Sequence, residues 1–105
     1  MTGLRLDKWL WFARFARTRS LAAKLCTAGA VTVAGVVIAK PGHLVRIGDA
    51  VSVRQGRVLR QVAVLALGTR RGSPAEARLL YVERQAPVPL RAVERAAWEP
   101  LLEDE

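Results

Sequence analysis

The amino-acid sequence predicts an α+β domain: two N-terminal helices packed on a small, mainly antiparallel sheet. Hydrophobic residues recur at helical spacing up to about residue 28 and then alternate in β fashion from residue 31 onward. Glycine and proline interrupt the second pattern at short intervals, as they do between antiparallel strands. We expect one folded unit over residues 4–84, then a C-terminal extension over residues 85–105, partly helical with an acidic end.

Residues 5–16 have the pattern of an amphipathic helix that ends near Arg17. At about 100° per residue, the side expected to face the core carries Leu6, Trp9, Leu10, Ala13 and Ala16. The opposite side carries Lys8, Trp11, Arg14 and Phe15.

A second helix is predicted over residues 19–28, because Thr18 is a suitable N-cap and Gly29 can adopt the left-handed conformation that ends many helices. Its inward side is expected to carry Leu21, Ala22, Leu25 and Cys26. Since Cys26 is the only cysteine, it has no internal disulfide partner, and we interpret it as a buried, reduced thiol.

The remaining pattern predicts short strands. A strand over residues 31–33 is followed by a tight turn at Gly35, a strand over 36–38 and a loop over 40–43. The β pattern continues through residues 45–53 around a turn at 48–49, and a strand buried on both faces is predicted over 58–67.

The segment after this strand leaves two alternatives open. Ser73 could cap a short helix, or the chain through Tyr81 and Val82 could return as a last strand. Helical spacing of Leu90, Val93, Ala97 and Leu101 predicts a terminal helix.

The charge distribution is strongly uneven. Residues 1–84 carry fifteen Lys and Arg against four Asp and Glu, whereas residues 85–105 carry two against five. So few acids cannot neutralise so many cations, and a field of one sign attracts polyanions. The partner is therefore expected to be a nucleic acid or an anionic membrane surface.

The sequence lacks the combinations of residues that catalysis needs. With one histidine and one cysteine, a multi-ligand zinc site is excluded and a catalytic triad is disfavoured, and no glycine-rich phosphate loop occurs. We interpret Asp7 and Asp49 as carboxylates that accept local backbone hydrogen bonds. The sequence therefore predicts no catalytic residues, no cofactor and no metal. The apolar runs are too short for a membrane span and no secretory signal is evident, so a cytoplasmic protein is expected.

Basic residues crowd into the two predicted helices. Arg17 and Arg19 flank Thr18 at the junction of the helices, where a phosphate would meet forked guanidinium groups. Trp11 and Phe15 either stack on bases or pack inside the protein, and packing is the simpler interpretation. The RNA-binding residues predicted from the sequence are Arg5, Lys8, Arg14, Arg17, Thr18, Arg19, Lys24 and Lys40.

Several short motifs carry a family resemblance. The order RLD at residues 5–7, TRS at 18–20, AGAVTV at 28–33, KP at 40–41 and GD at 48–49 resembles the RNA-binding domain named after small-subunit ribosomal protein S-four. The match covers about residues 5–55. The segments RLDKWLWFARFARTRSLA and VLALGTRRGSPAEARLLYVE are similar to the family of the bacterial ribosome-associated heat-shock protein fifteen.

The resemblance implies a two-helix motif that docks on structured RNA. Positions that match the RNA face of the family are Arg5, Lys8, Arg17, Thr18, Arg19 and Lys40. It further implies binding to large-subunit ribosomal RNA, on free large subunits that hold a nascent chain on tRNA, as part of stalled-translation rescue in the heat-shock response. We expect a monomer, with weaker DNA binding.

Two other functions stay open. The chain could be an accessory RNA-binding subunit of an RNA-modifying enzyme, or a basic membrane-surface protein that uses Trp9, Trp11 and Phe15. The sequence also departs from the family in two places. Ala34 precedes Gly35 where the family has Asn, and since alanine disfavours positive φ we expect another type of turn there. Gly42 and His43 replace a serine and a basic residue.

Overall fold

The computed structural model describes residues 3–89 and confirms the α+β architecture. The helices are α1 (Leu6–Phe12), α2 (Arg19–Thr27) and α3 (Pro74–Ala77), the last continuing into a 3₁₀ turn at Arg78–Leu80. The strands are β1 (Leu4–Arg5), β2 (Val31–Val33), β3 (Val36–Val37), β4 (Leu44–Val45), β5 (Ala50–Gln55), β6 (Val58–Val64), β7 (Tyr81–Glu83) and β8 (Val88–Pro89). The predicted terminal helix lies outside the described residues.

The strands form two antiparallel sheets. The larger has the order β3-β2-β5-β6-β7, with β8 paired to the start of β6, and the smaller pairs β1 with β4. Helices α1 and α2 cover one face of the larger sheet. The shared core is apolar and consists mainly of Leu6, Trp9, Leu10, Phe15, Ala22, Cys26, Val31, Val45, Val51, Val53, Val62 and Val64.

The first helix is shorter than predicted. It ends at Phe12, because Arg14 adopts a left-handed conformation with φ of 64°. The amide of Phe15 donates to the carbonyl of Leu10 at 2.9 Å, and the amide of Arg14 donates to that of Trp11 at 3.2 Å. These two bonds make a Schellman motif with arginine in the place that glycine usually takes. The chain then turns back, so Phe15 points into the core and not to the outer side.

The second helix begins at Arg19 as predicted and ends at Thr27, one residue before the predicted end, with Gly29 in the expected left-handed conformation. The hydroxyl of Thr18 accepts a hydrogen bond from the amide of Leu21 at 3.1 Å, and Gly29 has φ of 75°. Ala22 and Cys26 are fully buried, and Leu25 is partly buried against the core. The prediction for Leu21 was wrong, since its side chain is 43% exposed.

The turn between β2 and β3 contradicts our expectation of another turn type. Ala34 and Gly35 both have positive φ, at 52° and 81°. Two central residues with positive φ define a type I′ turn, whose twist matches that of the flanking strands. The pairing of β2 with β3 therefore holds an alanine in a conformation that alanine disfavours.

The later strands differ partly from prediction. Strand β6 ends at Val64, and within it only Val62 and Val64 are buried, so it is not buried on both faces. Ile47 is 64% exposed, in the loop between β4 and β5. Both alternatives for the segment after residue 72 occur in succession, because Ser73 caps α3 and the chain then returns as β7. The boundary at residues 84–85 stays a prediction.

Candidate nucleic-acid interface

The loop at residues 40–43 caps the start of α1. The amide of Leu6 donates to the carbonyl of His43 at 2.8 Å, and the amide of Asp7 donates to that of Pro41 at 3.1 Å. The first amides of a helix have no partner within the helix, so these two bonds fix the loop against it. Lys40 and Arg5 consequently line the same open groove, beside Gly42 and His43.

A buried carboxylate joins Arg5 and Arg19. Asp7 is only 4% exposed and accepts hydrogen bonds from Nε and Nη2 of Arg5, both at 3.1 Å. Its Oδ2 lies 3.8 Å from Nε of Arg19, at the start of α2. Hydrogen bonding and charge attraction from Asp7 raise the pKa of Arg5. Both arginine side chains remain about half exposed, with side-chain values of 51% and 45%.

We call Arg5, Arg19 and Lys40 the arginine face. Asp7 neutralises only one of the three positive charges of the arginine face. Lys40 forms no ion pair with any acid within residues 3–89. Cations fixed at the surface in this way suit the phosphates of a folded nucleic acid, because less side-chain entropy is lost on binding.

Arg17 and Lys24 lie on the other flank of α2. They line a groove between α2 and the hairpin of β5 and β6, together with Arg54, and we call this the α2 groove. At about 100° per residue, Lys24 stands well over a quarter turn from Arg19 around the helix axis. The structure therefore separates these two cations from the arginine face.

Lys8 and Arg14 belong to a third region, on the outer side of α1. The Nζ of Lys8 lies 5.8 Å from the ring centre of Phe12. The Nε of Arg14 donates to the carbonyl of Gly72 at 2.9 Å, which fastens the loop before α3 to the end of α1. Arg14 thus has a structural role in holding this loop, and Thr18 has one as the N-cap of α2.

The two candidate stacking residues differ in accessibility. Phe15 is 3% exposed and stacks against Trp9, with ring centres 5.8 Å apart. Its ring also packs at a tilt against that of Tyr81, at 5.0 Å between centres. Packing inside the protein is therefore confirmed for Phe15. Trp11 packs against the core but is only partly buried, one helical turn beyond Asp7.

Sequence reasoning missed two contributors to these surfaces. Asp7 does accept the backbone hydrogen bond we expected, from the amide of Lys8 at 2.8 Å, but its contacts with Arg5 and Arg19 are the larger part of its role. Helical and strand periodicity relate residues of one element only. They therefore cannot predict that Asp7 of α1 pairs with Arg5 of β1 and Arg19 of α2. Arg54 reaches the α2 groove only through sheet pairing, which the helix pattern does not show.

Comparison with known proteins identifies the family. A family model for the S4 domain matches residues 4–51. The Heat shock protein 15 homolog of Aeromonas salmonicida is 45% identical over 91 residues, which cover 87% of this chain and 68% of that protein. The chain belongs to the heat shock protein 15 family. The RQC P-site tRNA stabilizing factor of Halalkalibacterium halodurans is also similar, being 33% identical over 81% of this chain and 96% of its own length.

A solved structure agrees with this membership. Heat Shock Protein 15 of Vibrio cholerae, described as trimeric, superposes with a TM-score of 0.76 at 37% identity, covering 96% of this chain and 99% of that one. Members of this family are non-catalytic RNA-binding proteins, which confirms the prediction that the chain is not an enzyme. The trimer calls the predicted monomer into question.

The described part of the chain adds two observations about sites and spans. Residues 3–89 contain no group of three or more acidic, histidine or cysteine side chains placed to hold a metal ion. None of the helices in this range has the length and apolar character needed to cross a membrane.

Proposed function

We propose that the protein binds structured ribosomal RNA on free large ribosomal subunits that carry a nascent chain on tRNA. In this role it acts in the cytoplasm, in the rescue of stalled translation and in the heat-shock response. The observation that carries the proposal is the arginine face, where one buried carboxylate orients two exposed arginines beside the Lys40 loop.

The geometry supports recognition of shape more than of sequence. Guanidinium groups bind phosphates through paired N–H donors, and A-form RNA is recognised mainly through its backbone and its shape. Because α1, α2 and the 40–43 loop are fastened to one another, the three cations keep a fixed spacing. A fixed spacing of cations matches phosphates only in an RNA that is itself folded.

The names of relatives support the finer role. Heat shock protein 15 homologues suggest a link to heat stress, and the RQC P-site tRNA stabilizing factor suggests a ribosome that holds tRNA. Neither the family model nor these names point to DNA, so only RNA is proposed as the nucleic-acid partner.

Sedimentation with purified ribosomal particles tests the proposal. The protein is mixed with large subunits that carry peptidyl-tRNA, with vacant large subunits and with small subunits, and each mixture is centrifuged through a sucrose cushion. We expect the protein to pellet best with the peptidyl-tRNA particles, and this binding to disappear as salt rises. Equal recovery with all three particles contradicts the ribosomal role while leaving general RNA binding in place.

A matched pair of variants locates the contact. Arg19→Gln removes a cation of the arginine face, whereas Arg78→Gln removes an exposed cation from the 3₁₀ turn beyond α3. We expect Arg19→Gln to lose binding to large subunits and Arg78→Gln to keep it. Equal binding by the two variants contradicts the assignment of the arginine face.

The membrane-surface alternative is disfavoured by burial. Trp9 is fully buried and Phe15 is 3% exposed, so neither can insert into a lipid interface without unfolding. Flotation with vesicles of anionic lipid is expected to leave the protein at the bottom of the gradient. For the accessory-subunit alternative, a pull-down is expected to recover no stoichiometric catalytic chain.

The oligomeric state can be measured directly. Light scattering on the purified protein distinguishes the 11.5 kDa chain from a species three times that mass, as in the relative from Vibrio cholerae. The experiment is best done with and without RNA, since association with RNA changes both mass and charge.

A further inference from the structure

The α2 groove is an open cavity of about 560 Å³ that lies apart from the arginine face and is lined by two of the predicted RNA-binding residues, Arg17 and Lys24. This volume lies within the roughly 300–1,000 Å³ typical of sites for small organic molecules. Helix α2 forms one wall and the hairpin of β5 and β6 forms the other. The lining residues are Phe15, Arg17, Leu21, Lys24, Leu25, Ala28, Arg54, Gln55 and Gly56.

One wall of the groove is an apolar stripe. Leu21, Leu25 and Ala28 recur at spacings of four and three along α2 and its C-cap, so they share a side of the helix. That side adjoins the side that carries Ala22 and Cys26, which point into the core. Leu21 is 43% exposed and Leu25 is partly buried. The groove thus presents hydrophobic surface to solvent.

The opposite wall is held rigidly. The Nε2 of Gln55 donates to the carbonyl of Phe15 at 3.0 Å, and its Oε1 accepts from Nη1 of Arg60 at 3.2 Å. Gly56 turns the hairpin with φ of 61°. Both ends of the Gln55 amide therefore have protein partners, and this side chain offers the groove little with which to identify a particular base.

Three cations surround the apolar stripe. Arg17, Lys24 and Arg54 are exposed, and none of them forms an ion pair within residues 3–89. Hydrophobic surface framed by unpaired cations is complementary to a nucleotide, which has a flat, weakly polar base and anionic phosphates on either side of it.

We propose that the α2 groove holds one unpaired nucleotide of the bound RNA. Its base lies against Leu21 and Leu25, and its flanking phosphates contact Arg17, Lys24 and Arg54. The inference rests on the proposed function and deepens it: the RNA contacts both flanks of α2, with its folded part on the arginine face and an extruded nucleotide on the far side. Because each end of the Gln55 amide already has a protein partner, we expect little selectivity among bases.

Two labelled RNA hairpins test this inference by fluorescence anisotropy with the full chain. They share one duplex, and one of them carries a single bulged uridine. Leu21→Gln removes apolar surface and Arg54→Gln removes a cation, while Arg78→Gln is the control for the loss of one exposed charge. Circular dichroism verifies that each variant is folded, and glutamine suits the exposed position in α2.

We expect wild-type protein to prefer the bulged hairpin. Leu21→Gln and Arg54→Gln are each expected to weaken binding to the bulged hairpin by about fivefold or more, while binding to the plain hairpin changes no more than in Arg78→Gln. With 4-thiouridine in the bulge, the photocrosslink is expected on a peptide of α2 or of the β5–β6 hairpin.

The failures of the two proposals are distinguishable. Suppose that wild-type protein binds both hairpins, and that Leu21→Gln and Arg54→Gln change these affinities no more than Arg78→Gln does. The groove inference is then wrong and the proposed function stands. A crosslink confined to β1 and the 40–43 loop has the same meaning. If wild-type protein binds neither hairpin at low salt, the proposed RNA binding fails, and the groove inference fails with it.

Discussion

At the scale of single residues, Asp7 couples the helices to the surface that they present. Its carboxylate is buried, yet two of its three side-chain partners are exposed arginines from different elements. A buried carboxylate needs such partners, because burial without charge or hydrogen-bond compensation is costly. The same contacts hold the guanidinium groups of Arg5 and Arg19 in place before RNA binds. Asp7 is thus a positioning residue for the arginine face.

Replacing this carboxylate tests the positioning role. Asp7→Asn keeps an oxygen for the amide of Lys8 but loses the attraction to both arginines. We expect RNA affinity to fall by about three- to tenfold, measured by anisotropy with a structured ribosomal RNA fragment. Asp49→Asn is the control, since Asp49 accepts from the amide of Arg46 in a turn.

The direction of the change is diagnostic. Both substitutions remove one negative charge, so long-range electrostatics alone predicts slightly tighter RNA binding for each. Weaker binding by Asp7→Asn, together with unchanged or tighter binding by Asp49→Asn, indicates positioning. Tighter binding by both variants contradicts it.

Cys26 gives a second prediction at this scale. Burial raises the pKa of its thiol to about 11, with a smaller contribution from the charge of Asp7. The thiolate is the reactive form, so the folded protein is expected to show no thiol that reacts with an aromatic disulfide reagent at pH 8. In denaturant one thiol per chain should react. Rapid reaction of the folded protein contradicts the buried position.

The raised pKa also predicts how stability depends on pH. The thiol of the unfolded chain ionises near its ordinary pKa of 9.0, before the folded one does, so the unfolded state loses its proton first. The stabilising contribution is complete below pH 9 and is lost as pH rises toward 11. Denaturant unfolding of wild-type protein and of Cys26→Ala should therefore diverge in pH dependence only above pH 9.

At the scale of elements, α1 and α2 end in the same way but only one of the two ends was predictable. Both finish in a Schellman motif, with a left-handed residue that allows two closing hydrogen bonds. In α2 that residue is Gly29, and a glycine after a helical pattern predicts the end of a helix. In α1 it is Arg14, whose type carries no such signal and whose conformation is held by the bond to Gly72 and the burial of Phe15. The C-terminal end of α1 therefore depends on contacts between residues that are distant in sequence.

The candidate site shows the same division between local and long-range information. Pattern and charge predicted the two helices, the Thr18 cap and the concentration of cations, because these depend on neighbours in sequence. They did not predict that Arg17 and Arg19, two residues apart, would face different flanks of α2. Nor could they place Arg54 beside Lys24, since that proximity depends on how the hairpin packs against the helix.

The strained turn between β2 and β3 provides a prediction for this element. Ala34 has φ of 52°, a conformation that costs non-glycine residues about 1–2 kcal/mol and that asparagine tolerates better. Ala34→Asn is expected to stabilise the fold by about 0.5–1 kcal/mol, measured by urea unfolding. Ala39→Asn is the control, because Ala39 is exposed and lacks positive φ. No gain over this control contradicts the turn assignment. RNA affinity should stay unchanged in Ala34→Asn.

At the scale of the whole molecule, the excess of cations is organised around α2. The arginine face lies on one flank of this helix and the α2 groove on the other. Other cations make internal contacts, since Arg14 of the third region donates to Gly72, and Arg70, before α3, pairs with Glu76. Net charge therefore brings RNA to the protein, while the cations that flank α2 determine where it is held.

This organisation predicts the salt dependence of RNA binding. Six cations flank α2, namely Arg5, Arg17, Arg19, Lys24, Lys40 and Arg54. Each phosphate contact contributes roughly −0.7 to −0.9 to the slope of log K against log salt, so the wild-type slope should lie between about −4 and −5. Arg19→Gln and Lys24→Gln should each reduce its magnitude by about one, whereas Arg78→Gln should leave it unchanged. Anisotropy titrations at several potassium concentrations measure the slope. A slope that falls equally in all three variants indicates diffuse attraction by net charge and contradicts binding around α2.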